Sequence, residues 1–226
     1  MGGEKISGII EVLYQDEFYI AFNKPAGLLV IPSPHKEKKT LISIVNAQFP
    51  SGEIQGRLHP CHRLDRDTSG VILFARGKKN QQMMMAEFFN QRVQKVYIAF
   101  VQGKLKKPIG EIKSAIKDFE ERRFAWTSLP KMSLTRYKVL TVKKEFSVVA
   151  VYPLTGRTNQ IRIHFSDIGH PLLGERKYAF GRDYALKFRR TALHAQDLKW
   201  VHPIHKKQIQ VHSPLPEDMN QFLQKN

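Results

Sequence analysis

A single cysteine, Cys61, occurs in the 226 residues, so no internal disulfide can form and folding needs no oxidising compartment. Long apolar runs are also missing. None approaches the ~18–20 residues that span a bilayer, and the polar start Met1-Gly2-Gly3-Glu4-Lys5 has no signal-peptide core. These deficits predict a cytoplasmic chain without a membrane partner. Acidic residues are scarce as well: 20 Asp and Glu stand against 37 Lys and Arg, a net charge of +17. Such an excess predicts a polyanionic partner, and with no strongly amphipathic basic helix in view, nucleic acid is favoured over lipid. Motifs for nucleotide loops, dinucleotide turns, nucleophile elbows and zinc-protease helices are all missing, so no cofactor is implied.

What remains is an ordinary globular composition, 42% hydrophobic and 25% charged, long enough for one large domain with its own core. Strands are predicted at Ile9–Leu13 and Phe18–Phe22 around a polar break at Gln15-Asp16-Glu17, and again at Gly70–Ala75. Thr40 is a candidate N-cap for a short helix ending at Ala47, and Lys79–Asn90 has helix composition. From Gln94 to Gly103 the alternation places Tyr97 on the strand face opposite Val96 and Ile98. The basic stretch Lys104–Lys144 reads as short strand-like pieces, followed by a strand at Phe146–Tyr152. Ile161, Phe165 and Ile168 form one apolar stripe on a helix over Thr158–Ile168. Strands near Ala192–Trp200 and Gln208–His212, then a helix after Pro216, complete the chain. With no repeat or long linker, residues 1–226 are expected to form one α+β domain on a mainly antiparallel, mixed sheet with flanking helices.

Among the chemistry-bearing residues, His59-Pro60-Cys61-His62 superficially suggests metal ligands, but Pro60 stiffens it and no second Cys pair exists, so no metal site is expected. His194, His202, His205 and His212 are read as hydrogen-bonded structural histidines. The outstanding segment is His62-Arg63-Leu64-Asp65-Arg66-Asp67-Thr68-Ser69-Gly70, where a carboxylate sits between arginines on a loop feeding a strand. Flanking cations favour an ionised acid that can act as nucleophile or base. On the residues alone, Asp65 or Asp67 can equally cap a turn or pair with Arg63 or Arg66.

The same string resembles the signature of the RluA-type family of RNA pseudouridine synthases, in which His-Arg-Leu-Asp is followed by Thr-Ser-Gly and aliphatic residues. Asn23-Lys24-Pro25-Ala26-Gly27, Lys95-Val96-Tyr97-Ile98-Ala99, and Leu154 to Arg162 (Leu-Thr-Gly-Arg-Thr-Asn-Gln-Ile-Arg) agree with the family in order. Gly169-His170-Pro171-Leu172-Leu173-Gly174 and Leu193-His194-Ala195 continue the likeness, which runs from about Ile9 to Pro214.

The resemblance implies a pseudouridine synthase fold with a central catalytic cleft, acting without cofactor or metal on a specific uridine of structured ribosomal or transfer RNA. It makes Asp65 the catalytic aspartate and leaves open whether that residue attacks or abstracts a proton. Tyr97 matches the tyrosine that stacks on the base, and Arg162 the cation that pairs with the aspartate. Arg63 matches an arginine that fills the RNA stack where the target nucleotide leaves. Lys24 to Gly27 are expected to be a structural turn. Many relatives carry an additional N-terminal RNA-binding domain, whereas few residues here precede the first strand. A monomer with no obligate protein partner is implied. The competing class is a noncatalytic basic RNA-binding or chaperone protein, which would have no use for Asp65, Tyr97 and Arg162 as a set.

Overall fold

A computed structural model describes residues 8–33, 37–50, 56–117, 129–179 and 186–226. Contacts divide the chain into two compact units, Met1–Val93 with Ala195–Pro214, and Gln94–His194 with Leu215–Asn226. The elements are helices and mostly antiparallel strands, so the α+β class expected from sequence is the one observed.

In the first unit, β1 (Val12–Gln15) and β2 (Tyr19–Lys24) form an antiparallel hairpin, and β2 pairs antiparallel with β4 (Ser69–Arg76). The predicted first strand at Ile9–Leu13 lies too early. Ile9 is 73% exposed, and pairing begins at Val12 because Asp16 sets the turn. Its Oδ1 accepts the N–H groups of Phe18 and Tyr19, each at 2.7 Å. Its Oδ2 accepts the Tyr14 hydroxyl and lies 3.1 Å from His202 Nε2. Asp16 is held below the usual carboxylate range: burial opposes ionisation, but these hydrogen bonds and His202 outweigh it.

Strand β4 is buried along its whole length, which explains why Gly70–Ala75 reads as continuous apolar sequence rather than as an alternation. β3 (Leu58–Pro60) pairs with β4, and α2 (Gly77–Phe89) follows it. α1 (Leu41–Gln48) starts where Thr40 predicts: the Thr40 N–H donates to Ser43 Oγ at 3.0 Å, the return half of a capping box. β9 (Leu193–Val201) begins in the second unit and runs into the first, where it pairs antiparallel with β10 (Gln208–His212). Tyr19, Val71, Leu73, Met84, Leu198 and Trp200 fill this unit's core.

The second unit is an antiparallel sheet in the order β5 (Gln94–Gln102), β8 (Phe146–Pro153), β7 (Lys131–Val142), β6 (Ile109–Ile116). Among the described residues, the basic stretch makes strands of eight and twelve residues rather than short pieces. Ile112, Ile116, Ser133, Thr135 and Tyr137 face inward at every second or fourth position while lysines and arginines stay outside. Arg122 and Arg123 lie outside the described residues.

One face of this sheet, with Ala99, Val101, Val149 and Val151, is covered by Ile161 and Phe165 of α3 (Gln160–Asp167). The opposite face, with Ile98, Phe100 and Val148, is covered by Met219 and Phe222 of α4 (Glu217–Lys225). Tyr97 packs on the α3 face, opposite Ile98, as the alternation predicts. The apolar stripe on α3 is shorter than expected. Ile168 is the C-cap, 39% exposed, because the helix ends one residue earlier.

Candidate active site

The loop between β3 and β4 carries Arg63 and Asp65. Leu64 between them is buried and anchors the loop, which leaves Arg63 exposed and Asp65 half-buried. The Asp65 carbonyl accepts the Thr68 N–H at 3.2 Å, closing the turn that leads into β4. The next carbonyl, that of Arg66, accepts two donors: the Gly27 N–H at 2.9 Å and Lys24 Nζ at 2.9 Å.

Lys24 is fully buried, and its ammonium also donates to the carbonyls of Leu28 at 2.7 Å and Pro25 at 2.9 Å. A buried cation survives where its donors are met, so this lysine ties the Lys24–Gly27 turn to the Asp65 loop. The Arg66 side chain turns away to Glu37 Oε1 at 3.0 Å, so that arginine has its own acid. His62 stacks on Phe88 with ring centroids 4.6 Å apart and accepts the Leu73 N–H at Nε2. Cys61 is buried, and burial pushes its thiol far above the usual range. His202 uses Nδ1 to accept the N–H groups of Ile204 and His205, and His212 Nδ1 lies 2.8 Å from Asp197.

In the second unit Tyr97 on β5 is half-buried and packs into the cluster that also holds Ile161, the residue before Arg162. The turn before α3 is built around Gln160, which is buried. Its Oε1 accepts from Thr155 Oγ1 at 2.7 Å and from the Arg157 N–H at 3.0 Å, and its Nε2 donates to the Leu134 carbonyl and Thr135 Oγ1. Asn159, the N-cap of α3, adopts φ +56°, a left-handed conformation that asparagine tolerates better than most residues. Further along, His164 Nε2 meets Ser133 Oγ at 2.8 Å. That hydroxyl donates to the Ser114 carbonyl, so the imidazole is the donor, and burial holds it neutral.

Arg162 projects from this helix into an ordered set of partners. Its Nε and Nη2 donate to the two oxygens of Glu175 at 2.6 and 2.8 Å, its Nη1 donates to Asn159 Oδ1 at 2.7 Å, and the Tyr178 ring lies 5.3 Å from the guanidinium carbon. Glu175 is held below the usual carboxylate range; burial opposes this, but Arg162 and two backbone N–H groups prevail. Sequence reasoning gave Asn159 and Gln160 no role although both lie inside the Thr155–Arg162 motif. It passed over Glu175 because a partner 13 residues away across a turn leaves no periodic trace.

Lys95 shares the Tyr97 face, two residues earlier. Lys95 is half-buried, its amine donates to the Thr155 carbonyl at 3.5 Å, and burial pushes it down to about 8. The folded state therefore binds fewer protons at Lys95 than the unfolded state does between pH 8 and 10.5, and stability attributable to this group rises with pH across that window. Lys95→Met is expected to be more stable than the wild type at pH 7, by on the order of 2 kcal/mol. The gain should fade by about pH 10.5. Urea denaturation at both pH values checks it, and equal stabilities at pH 7 would refute it.

A family model described as RNA pseudouridylate synthase matches residues 18–167, two-thirds of the chain. The chain belongs to the RNA pseudouridine synthase family. The synthase is 33% identical to tRNA pseudouridine synthase C of Haemophilus influenzae, over 95% of this chain and 98% of that relative. It is 34% identical to the dual-specificity RNA pseudouridine synthase RluA of Vibrio cholerae, over 86% and 78%. Against ribosomal large subunit pseudouridine synthase D of Xylella fastidiosa the synthase shows 31% identity over 95% and 68%. Among solved structures, human RNA pseudouridylate synthase domain containing 1 aligns with a TM-score of 0.73 at 25% identity, covering 100% of the synthase and 97% of that chain. Human RNA pseudouridylate synthase domain containing 4, 21% identical, shares the fold with a TM-score of 0.78 over 95% and 92%. Among the described residues no helix of the synthase is long and apolar enough to cross a membrane.

Proposed function

We propose that this synthase isomerises uridine to pseudouridine in a structured ribosomal or transfer RNA of the cytoplasm. Asp65 supplies the reacting carboxylate, Tyr97 the ring that stacks on the uracil, Arg162 the cation that keeps the acid ionised, and Arg63 the group that takes the place of the displaced base. The observation that carries this is the setting of Asp65. It is a half-buried acid on a loop held by buried Leu64 and by the Lys24 and Gly27 donors on the Arg66 carbonyl, inside the segment the family model matches.

The reaction breaks the N1–C1′ bond, turns the base and joins C5 to C1′. C5 loses its proton and N1, freed from C1′, gains one, so uridine and pseudouridine have the same composition and no oxidant or reductant enters. A carboxylate can begin this as a nucleophile or as a base. The net charge of +17 supplies phosphate contacts that hold RNA without reading its sequence.

Incubation with RNA carrying tritium at uridine C5 tests the proposal, since forming the C5 glycosidic bond releases that tritium to water. Separate ribosomal and transfer RNA pools distinguish the two substrate classes, and pseudouridine mapping locates the modified position. Saturable RNA binding with no tritium release from either pool would favour the noncatalytic alternative.

A further inference from the structure

We propose that Glu175 is a positioning residue for the isomerisation, acting through Arg162; this rests on the function proposed above. The backbone that presents Glu175 is closely packed. The preceding Gly174 has φ +74°, and a Cβ there would lie 1.9 Å from the Arg190 carbonyl oxygen and 2.8 Å from that of Phe188. The chain is thus packed against its neighbours immediately before the acid, with no room for a side chain.

The Glu175 side chain is 0% exposed, and the Arg162 side chain 16%. Its carboxylate accepts four hydrogen bonds: two from Arg162, and two at Oε1 from the N–H groups of Lys177 at 2.8 Å and Tyr178 at 3.1 Å. Backbone donors that hold a carboxylate leave it little freedom to follow its partner. Glu175 is therefore the template, and Arg162 conforms to it.

The Arg162 guanidinium is planar and carries five N–H donors. Glu175 takes the Nε edge with one Nη2 donor, and Asn159 takes one Nη1 donor. Because Nε and Nη2 both seat on Glu175, that carboxylate sets the plane of the guanidinium and with it the direction of the Nη1–Nη2 edge. That edge is the fork suited to a second carboxylate or to a phosphate oxygen pair. Glu175 also balances the Arg162 charge, so a guanidinium shielded from water does not depend on that second anion to be tolerated. The ring of Tyr178 5.3 Å away, whose hydroxyl accepts from Asn159 Nδ2 at 3.1 Å, limits rotation of the fork further.

A set of variants separates positioning from simple structural support, with single-turnover tritium release read at saturating RNA. Glu175→Gln keeps the shape but places an amide N–H against a donor, and is expected to lower the maximal rate by about 10–100-fold, with RNA half-saturation changed less than about threefold. Glu175→Asp retains the charge at a shorter reach and is expected to recover part of that loss, which also serves if Glu175→Gln fails to fold.

Arg162→Met is expected to lower both rate and melting temperature, because it leaves a buried carboxylate without its cation. In Glu175→Gln/Arg162→Met the melting temperature should return toward wild type while the rate stays at the Arg162→Met level, since removing both partners relieves the stranded charge but restores no chemistry. A wild-type rate in Glu175→Gln, or a further multiplicative loss in the double variant, would overturn the positioning role. Absence of release by the wild-type protein would instead overturn the isomerase reading on which the role depends.

Discussion

Asp65→Asn is expected to lower pseudouridine formation by about 10⁴-fold or more while RNA affinity stays within about threefold of wild type. The amide is nearly isosteric, and Asp65 is only half-buried, so the fold should tolerate it. What disappears is the charged oxygen that can form a bond to the sugar or remove a proton, and losing a group that acts directly in the transition state costs about that much rate. Binding is a different quantity. With 37 Lys and Arg in the chain, phosphate contacts dominate it, and removing one acid from among them changes neither the cations nor the salt slope appreciably. Tritium release under single-turnover conditions, with filter binding at two salt concentrations, separates the two. Release by the Asp65→Asn protein at the wild-type rate would remove Asp65 from the mechanism whatever the other residues do.

Gly70→Ala is expected to cost at least about 4 kcal/mol and to lower the melting temperature by roughly 10 °C or more. Gly70 lies in β4 opposite Lys24, at φ +110°. A Cβ at this position would sit 2.1 Å from the Ala195 carbonyl oxygen, 2.7 Å from its carbon and 2.8 Å from its nitrogen. These are backbone atoms with no rotamer through which to retreat, and β4 is buried on both faces, so relief requires moving a strand. The left-handed backbone adds its own strain for any L side chain. Gly27→Ala is the matched control. Its φ of +83° brings similar strain, but nothing lies within 4 Å of the added carbon, so its cost should stay near 1–2 kcal/mol. Thermal and urea denaturation of both variants check the pair. A Gly70→Ala protein as stable as Gly27→Ala would show that backbone packing at Ala195 does not constrain β4. Because the Asp65 loop runs into β4 at Ser69, the same substitution should also depress activity.

Elements held by short-range pattern were legible in the residues. The β10 strand falls at Gln208–His212 as expected, Thr40 opens α1, and Tyr97 lies on the strand face opposite Ile98, because capping and alternation are set by near neighbours. The misplacements have equally local causes. Ile9 is apolar but precedes the Asp16 turn that dates the hairpin, and Ile168 fits the helical spacing but follows the last turn of α3.

The sequence by itself determined the reaction class through its resemblance, in an ordered set of blocks holding Asp65, Tyr97 and Arg162, to the RNA pseudouridine synthases; the residues taken alone left Asp65 open between chemistry and a turn. Only the tertiary structure decided how those blocks are held. Lys24 grips the Arg66 carbonyl 42 residues away, Asn23 accepts from Ser213 across 190, and Glu175 takes the guanidinium of Arg162. Such partners meet through the path of the whole chain and the exclusion of water. Neither leaves a period or spacing in the sequence from which the pairing could be read.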